Sequence, residues 1–336
     1  MPPSRPGGAV GAPGKVHAVE QTPSAAPVSE LGARLRAAIE TVIEGKTEAV
    51  DMALTVLLAG GHLLIEDAPG VGKTMLARSL ARALDCTVRR IQFTADLLPS
   101  DITGVSIFNP QEHAFEFKPG GVFASIVIAD EINRASPKTQ SALLEAMEEQ
   151  QVSVDGVTHA LPRPFMVVAT QNPLEMQGTY PLPEAQRDRF MACISMGYPA
   201  RAAELAMLDH HVAADPLASL QPLATAADIL AAMARVREIY LHPSLKAYVV
   251  DLVERTRSDP RLVLGASPRA GLQWARAAKA RAALAGRGYV IPEDVSALAV
   301  PVLTHRLIMA NQRNDRVTTT DLVTDLVAQV PAPRRA

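Results

Sequence analysis

The segment Gly-Val-Gly-Lys-Thr at 70–74 has the residue types and spacing to bind nucleotide phosphates. An apolar run at 62–66 predicts a short buried strand before it, and a helical pattern follows over 73–84. In a strand, glycine loop and helix of this kind, backbone N–H groups bind phosphate oxygens, the lysine reaches the terminal phosphates and the threonine hydroxyl binds Mg²⁺. The expected cofactors are therefore ATP or ADP and Mg²⁺. The expected nucleotide contacts are Ala68, Pro69, Gly70, Val71, Gly72, Lys73, Thr74 and Met75, with Thr74 also a metal ligand.

Asp67 stands where the phosphate-loop pattern usually has its first glycine. A carboxylate directed into the loop would repel the phosphates that the loop binds. We therefore expect the Asp67 side chain to point away from the phosphates.

Two adjacent acids, Asp130 and Glu131, follow the apolar run 125–129, which predicts a central strand of a parallel sheet. Asn172 follows the next apolar run, at 165–170. Ligands of doubly wound sheets bind beyond the carboxyl ends of the strands, so all three side chains are expected at the nucleotide. We expect Asp130 to bind Mg²⁺, Glu131 to polarise the attacking water and Asn172 to orient that water. Taken alone, the acids would also fit a helix cap and the Asn-Pro pair a turn.

Three arginines are candidates for a further phosphate contact. Arg187 and Arg189 lie two positions apart and point in different directions on a helix, so at most one serves a given phosphate. An arginine that reaches into a neighbouring subunit's site stabilises the charge of the transferring phosphoryl group. Arg269 follows Ser267-Pro268, a sequence typical of a helix N-terminus, and suits a phosphate sensor coupled to domain closure. A plain capped helix is the alternative for Arg269.

The order of predicted elements divides the chain into three parts. Residues 1–28 are rich in proline, glycine, alanine and serine, and predict a disordered tail. Strands alternate with helices over 29–198, which indicates an α/β doubly wound parallel sheet. Residues 199–336 predict a separate, all-helical domain with helices at 201–211, 226–240, 244–257, 268–285, 292–298 and from about 320.

Composition argues against several classes of protein. The 33 basic and 35 acidic residues leave a net charge of −2, so no global field attracts nucleic acid or an anionic membrane. Cys86 and Cys193 are the only cysteines, and neither they nor the 8 histidines are grouped as metal ligands. No run approaches the roughly 18 apolar residues of a membrane span, and the first residues lack an apolar signal core. We therefore expect a cytoplasmic protein without a membrane span or a nucleic-acid partner.

Six sequence blocks, taken in order from about 45 to 270, resemble the MoxR family of AAA+ ATPases. The resemblance implies an ATP-hydrolysing αβ core with a helix-2 insertion at about 97–121, a hairpin at about 151–160 and a helical lid. It also implies homo-oligomeric rings, commonly hexamers, and chaperone-like remodelling with a von Willebrand factor A domain protein as partner. The blocks are GHLLIEDAPGVGKTMLARSLA, RIQFTADLLPSDITG, IADEINRASPKTQSALLEAMEE, VVATQNP, LPEAQRDRF and GASPRA.

The same resemblance assigns a role to each residue by its position within a motif. Arg187 stands where the family often has an apolar residue, which leaves the choice of arginine finger between Arg187 and Arg189 open. The implied roles are Walker A for Lys73 and Thr74, Walker B for Asp130 and Glu131, sensor 1 for Asn172, arginine finger for Arg189 and sensor 2 for Arg269.

Three functions fit these residues. The first is an ATP-driven remodelling machine, and the second is a slowly hydrolysing, nucleotide-controlled binding switch or regulator. The third is a DNA-associated AAA+ ATPase, against which the charge of −2 and the lack of a recognisable DNA-binding module count. Measured turnover distinguishes the first two, and stimulation by DNA would favour the third.

Overall fold

The computed structural model describes residues 25–173, 178–199, 201, 204–205, 216–310 and 316–333. The strands are β1 (Leu63–Glu66), β2 (Leu84–Asp85), β3 (Val88–Gln92), β4 (Val105–Asn109), β5 (Ala114–Lys118), β6 (Ile126–Asp130), β7 (Gln151–Val154), β8 (Val157–Ala160), β9 (Met166–Gln171), β10 (Ala192–Ile194), β11 (Ala224–Thr225), β12 (Leu262–Leu264) and β13 (Ile308–Met309). The helices are α1 (Ala26–Glu40), α2 (Thr47–Leu58), α3 (Lys73–Ala83), α4 (Pro99–Thr103), α5 (Pro137–Glu149), α6 (Glu184–Arg187), α7 (Pro216–Ser219), α8 (Ala226–Glu238), α9 (Pro243–Ser258), α10 (Pro268–Leu284), α11 (Pro292–Ala297), α12 (Ala299–Leu303) and α13 (Arg316–Gln329).

Five parallel strands form the central sheet in the order β10-β1-β9-β6-β3. Side chains of β6 alternate between its two faces, so that Ile126 and Ile128 join one apolar cluster and Val127 and Ala129 join another. Helix α3 contributes to the first cluster and α5 to the second. Burial on both faces explains why this strand is a continuous apolar run, and the predicted doubly wound α/β fold is confirmed.

The phosphate-loop helix, α5 and the paired strands 151–154 and 157–160 lie where the sequence predicts them. Helix α5 begins at an N-cap, Ser136, whose hydroxyl accepts a hydrogen bond from Thr139 N. Asp155 and Gly156 have φ values of 50° and 80°, which is the left-handed backbone of the predicted two-residue hairpin turn. Local turn and cap chemistry therefore sets these boundaries.

Other boundaries differ from the expectations. Helix α1 begins at Ala26 and buries Val28, so residues 26–28 of the expected tail are helical, while residues 1–24 lie outside the described part. The last helix begins at Arg316 instead of about 320. Most of the helix expected over 201–211 lies outside the described residues. Strand β10 was not predicted, because three residues are too few to show a period.

The predicted helix-2 insertion contains α4 and the antiparallel pair β4–β5. Phe117 of β5 stacks on His159 of β8, with ring centroids 3.8 Å apart and planes 12° from parallel. Phe108 and Phe115, at the other end of β4–β5, are exposed, the latter by 74%. The insertion hairpin is thus anchored to the β7–β8 hairpin at its base and presents aromatic rings to solvent.

The C-terminal helices pack against α1 and α2, and α10 lies at the centre of this packing. Its buried face is made of alanines and Trp274, and small side chains allow the helices to approach closely. Trp274, the only tryptophan in the chain, is fully buried and its indole N–H donates to Val295 O at 2.9 Å. Arg276 donates to the carbonyls of Ala59 and Gly60 at the end of α2. None of the described helices is long and apolar enough to cross a bilayer.

His62, the residue before β1, is buried and neutral. Its Nδ1 accepts a hydrogen bond from Val167 N at 3.0 Å, so Nε2 carries the proton and donates to Met147 O at 3.2 Å. Burial lowers the pKa of His62 to about 4; the bond to Met147 opposes this shift, and the positive charge of Arg276 adds to it.

We expect this histidine to make folding depend on pH. The pKa of an unfolded histidine is about 6.5, so between that pH and 4 the unfolded chain binds a proton that the folded protein does not. The contribution of His62 to the free energy of unfolding is therefore complete above pH 6.5 and is lost as the pH falls towards 4. Between pH 7 and 5 the loss amounts to about 2 kcal/mol. Urea unfolding gives the free energy of unfolding of the wild type and of His62→Gln at several pH values. The loss is the difference between the two proteins in how steeply that free energy changes with pH, and exposed His242→Gln is the control. Equal slopes in the wild type and His62→Gln would contradict the prediction.

Candidate active site

The loop between β1 and α3 has the backbone of a phosphate-binding loop. Gly70 and Gly72 have φ values of 82° and 95°, in the left-handed region that side chains with a Cβ rarely adopt. Gly72 is also the N-cap of α3, so the first N–H groups of that helix face the loop. Lys73 Nζ donates to the carbonyls of Asp67 (2.5 Å) and Gln171 (3.0 Å), which fixes the ammonium above the ends of β1 and β9.

Opposing effects act on the charge of Lys73. Partial burial lowers the pKa of Lys73, and the carboxylates of Asp67, Glu131 and Asp130 offset only part of this shift. Asp130 and Glu131 also place negative charge near Lys73, where a cation bound with the phosphates would be attracted.

Asp67 turns its Oδ2 out of the loop, in the direction that the sequence predicts, while its Oδ1 accepts a hydrogen bond from Ala68 N at 2.8 Å. Its Oδ2 accepts hydrogen bonds from Ser195 Oγ (2.8 Å), Met196 N (2.7 Å) and Gly197 N (2.6 Å). Desolvation alone would raise the pKa of Asp67, but these donors outweigh it and lower the pKa. The carboxylate therefore ties the phosphate loop to the segment after β10.

Lys46 holds that segment from its other side. Its ammonium donates to the carbonyls of Met196 (2.5 Å), Gly197 (2.9 Å) and Tyr198 (2.9 Å). A cavity of about 270 Å³ opens beside it, and its walls are largely apolar. Among the residues that line the cavity are Val42, Ile43, Gly70, Val71, Gly72, Met75 and Pro199. Its position next to the phosphate loop and its apolar walls suit a nucleotide base.

Asp130 ends β6 and is 3% exposed. Its Oδ1 accepts from the hydroxyls of Thr74 and Thr170, both at 3.1 Å, and its Oδ2 accepts from Arg90 Nε at 2.6 Å. Thr74 and Asp130 therefore present oxygen ligands side by side at the loop, as predicted. Hard oxygen donors of this kind suit Mg²⁺, which needs few protein ligands when a phosphate supplies others. The residues fit the implied metal, which supplies positive charge to the phosphate oxygens when bound.

Glu131 follows directly and has a φ of 56°, a conformation that is strained for a residue with a side chain. Its backbone N–H donates to Thr170 Oγ1 at 3.0 Å, which stabilises this turn at the end of the sheet. Its carboxylate accepts from Gln92 Nε2 (2.8 Å) and Arg134 Nη1 (3.1 Å). Gln92, Arg134 and Thr170 were not among the predicted site residues. Gln92 and Thr170 lie at the carboxyl ends of strands next to β6, and that position is the signal that could have identified them, whereas Arg134 lies in the short helix after Glu131.

Asn172 follows β9, the parallel strand next to β6, and so lies with Glu131 beyond the carboxyl ends of these strands. Its backbone carbonyl is 3.5 Å from Asn133 Nδ2, in the short helix after Glu131. The sheet thus brings five predicted residues together beyond the carboxyl ends of its strands: Lys73, Thr74, Asp130, Glu131 and Asn172.

Arg189 and Arg269 meet at a different place. Arg189 Nε lies 3.0 Å from Glu148 Oε2, and Arg269 Nη2 binds the other oxygen of the same carboxylate. Glu148 is near the end of α5 in the core, whereas Arg269 is the second residue of α10 in the lid. Arg269 occupies the predicted helix start, but in the contacts of the described residues its partners are Glu148 and Asp188 and not the phosphate loop.

Asp188 completes the link between core and lid. Both of its oxygens accept from Ser267 Oγ at 2.9 Å, and Oδ1 lies 3.1 Å from Nε of the buried Arg306. Arg187, the other candidate finger, is partly buried and lies close enough to His305 to lower the pKa of that histidine, although burial and Arg306 are the larger causes. The structure therefore separates the two candidates, and Arg189 is the one that lies beside Arg269.

Comparison with known proteins gives the family. Residues 62–192 match the ATPase family associated with various cellular activities (AAA), and residues 254–326 match the AAA lid domain. Protein YeaC of Bacillus subtilis, which is uncharacterised, is 49% identical over 81% of this chain and 85% of its own length. Chaperone MoxR1 of Mycobacterium tuberculosis is 41% identical over 90% of this chain and 79% of its own length. A Cytophaga hutchinsonii crystal structure, 35% identical, has a TM-score of 0.84 and matches over 92% of this chain and 97% of its own.

The site geometry and these similarities agree. The matched ATPase region contains the phosphate loop, four strands of the central sheet (β1, β3, β6 and β9) and the first residue of the fifth, β10, and the matched lid region contains α10 with Arg269. The chain belongs to the MoxR family of AAA ATPases and is an ATP-binding ATP hydrolase.

Proposed function

We propose that this ATPase works with Mg²⁺ as a homo-oligomeric ring, a hexamer as the family resemblance implies, and remodels a client protein. The observation that supports a ring is the arginine pair at Glu148, which joins one core and one lid arginine at a partly exposed carboxylate. Arginines in this position can reach the ATP of a neighbouring subunit and stabilise the charge that develops on its γ-phosphate. Each active site would then be complete only between two subunits.

Within one subunit we assign the chemistry as follows. The phosphate loop and Lys73 bind the phosphates, and Thr74 and Asp130 would hold Mg²⁺. Glu131 holds the attacking water and accepts its proton as the water oxygen bonds to the γ-phosphorus and the bond to ADP breaks. Asn172 orients the same water. Arg189 acts as the finger, and Arg269 binds beside it.

A remodelling role is supported by the name of one relative and by the exposed hairpin. Chaperone MoxR1 is 41% identical to this chain. The β4–β5 hairpin exposes Ile107, Phe108 and Phe115, and large exposed apolar side chains can bind unfolded or partly folded segments of other proteins. A von Willebrand factor A domain protein is the partner that the family resemblance implies.

A nucleotide-controlled switch is the second candidate, and one observation favours it. Gln92 and Arg134 both donate to one oxygen of Glu131, Oε2, and compete with a water molecule for that oxygen. Turnover that stays low at every protein concentration would support this function over the remodelling ring.

The ring can be tested with Arg189→Ala. We expect turnover to fall about 100-fold with ATP affinity nearly unchanged, since the arginine would act on a neighbour's ATP in the transition state. Mixing this variant with Glu131→Gln should restore part of the activity, because a subunit with intact Glu131 then receives Arg189 from its neighbour. ATP turnover per subunit, followed over a wide range of protein concentration, is the measurement.

Arg235→Ala, an exposed arginine of α8, is the matched control and should behave like the wild type. Specific activity that does not rise with protein concentration, or mixtures that co-assemble without regaining activity, would count against the ring.

A further inference from the structure

A continuous chain of side chains connects the two acids of the active site along β3. Arg90 Nε donates to Asp130 Oδ2 at 2.6 Å, and Arg90 Nη2 donates to Gln92 Oε1 at 3.1 Å. Gln92 Nε2 then donates to Glu131 Oε2 at 2.8 Å. The proposed metal ligand and the proposed water-polarising acid are thus joined through two residues of the edge strand.

The chemistry of the three groups allows only one orientation of the Gln92 amide. A guanidinium group only donates hydrogen bonds and an ionised carboxylate only accepts them. Gln92 must therefore turn its oxygen to Arg90 and its NH₂ group to Glu131. Without Arg90, the amide could rotate and place its oxygen against the Glu131 carboxylate, where it cannot donate.

The strand geometry explains why Arg90 and Gln92 can cooperate. They are two positions apart, so their side chains leave the same face of β3, while Arg89 between them leaves the opposite face. In the parallel pairing with β6, Gln92 is opposite Asp130. The Arg90 side chain is 56% exposed and that of Asp130 only 4%, so the arginine brings its charge to a buried acid from the surface.

We propose that Arg90 is a positioning residue for ATP hydrolysis: its guanidinium orients Gln92, and Gln92 aims the Glu131 carboxylate. The two donor groups that bind Asp130 and Gln92 are different nitrogens of one rigid, planar group. A lysine would keep the charge at Asp130 but presents a single nitrogen, so it cannot reproduce this fork. The proposal rests on the proposed roles of Asp130 and Glu131.

The simpler explanation is that Arg90 is only a stabilising partner of Asp130. Arg90→Lys keeps that ion pair and would then leave turnover unchanged. Our inference requires instead that Arg90→Lys loses turnover through Gln92, and this difference can be measured.

The experiment is a double-mutant cycle on the full-length protein, with Arg90→Lys, Gln92→Ala and the double variant. We expect each single variant to lower kcat about tenfold, since a hydrogen bond to a charged group is lost while Arg134 still holds Glu131. The double variant should be no slower than Gln92→Ala, because both changes break the same connection. Arg89→Lys is the matched control and should retain wild-type kcat.

A second readout does not depend on turnover. The affinity for a fluorescent ATP analogue and the Mg²⁺ concentration that half-saturates its binding should stay within about twofold of wild type in Arg90→Lys and Gln92→Ala. A structural role would instead shift these values together with the melting temperature.

Multiplicative losses in the double variant, or wild-type kcat in Arg90→Lys, would overturn the inference. Glu131→Gln is the reference variant that distinguishes a failure of the role of Arg90 from a failure of the proposed function. If Glu131→Gln is inactive while Arg90→Lys is fully active, only the role of Arg90 fails. If Glu131→Gln hydrolyses ATP normally, the proposed site chemistry fails as well.

Discussion

Lys73→Ala is expected to weaken ATP binding about 1,000-fold, since an ammonium group that makes charge-assisted bonds to the phosphates is removed. Two carbonyls, those of Asp67 and Gln171, hold Lys73 Nζ above the loop, so the ammonium is already positioned where phosphates would bind. Titration of a fluorescent ATP analogue into the purified protein measures the dissociation constant directly.

Arg78→Ala is the matched control, because Arg78 is an exposed cation on the same helix, α3. Its dissociation constant should stay close to that of the wild type. If Lys73→Ala binds ATP as tightly as Arg78→Ala, the loop at 70–74 is not the phosphate site.

Glu131→Gln is expected to bind ATP normally and to lower kcat about 1,000-fold, within the range by which a positioned general base accelerates a reaction. The amide has the shape of the carboxylate but cannot accept the proton of the attacking water. The variant should therefore collect in the ATP-bound form, and if the ring proposal is right it should be the variant in which assembled rings are most abundant. Release of phosphate and sedimentation in the presence of ATP are the two measurements.

Glu145→Gln, an exposed residue of α5, makes the same chemical change away from the site and should leave turnover unchanged. Phosphate release by Glu131→Gln at the wild-type rate would exclude Glu131 as the base.

The parts of the site that the sequence predicts are those whose chemistry is encoded in neighbouring residues. The loop at 70–74 carries its glycines, lysine and threonine within five positions, and Asp130-Glu131 follows directly on a buried strand. A glycine can be recognised as a backbone requirement, and an acid after an apolar run as a strand-end ligand, without knowledge of distant residues. The doubly wound sheet follows from the same local alternation of strands and helices.

The parts that escape prediction depend on pairs that are far apart in the sequence. Glu148 receives Arg189 and Arg269 from positions 41 and 121 residues further along the chain, and no local pattern marks it as their partner. Gln92 reaches Glu131 only because β3 and β6 are neighbours in the sheet. Strand β10 is recognisable only as the partner of β1. Such pairings are set by tertiary structure, which a single sequence does not reveal.

The single tryptophan has a practical consequence for all of these experiments. Trp274 is fully buried in α10 and its indole N–H is bonded to Val295 O, so its emission should lie at short wavelength in the native protein. Because the chain has no other indole, fluorescence excited at a wavelength that tyrosine does not absorb reports on the surroundings of α10 in the lid, and circular dichroism in the far ultraviolet reports on the whole chain. A denaturation curve followed by both signals would show whether lid and sheet melt in one step or in two, with no label attached.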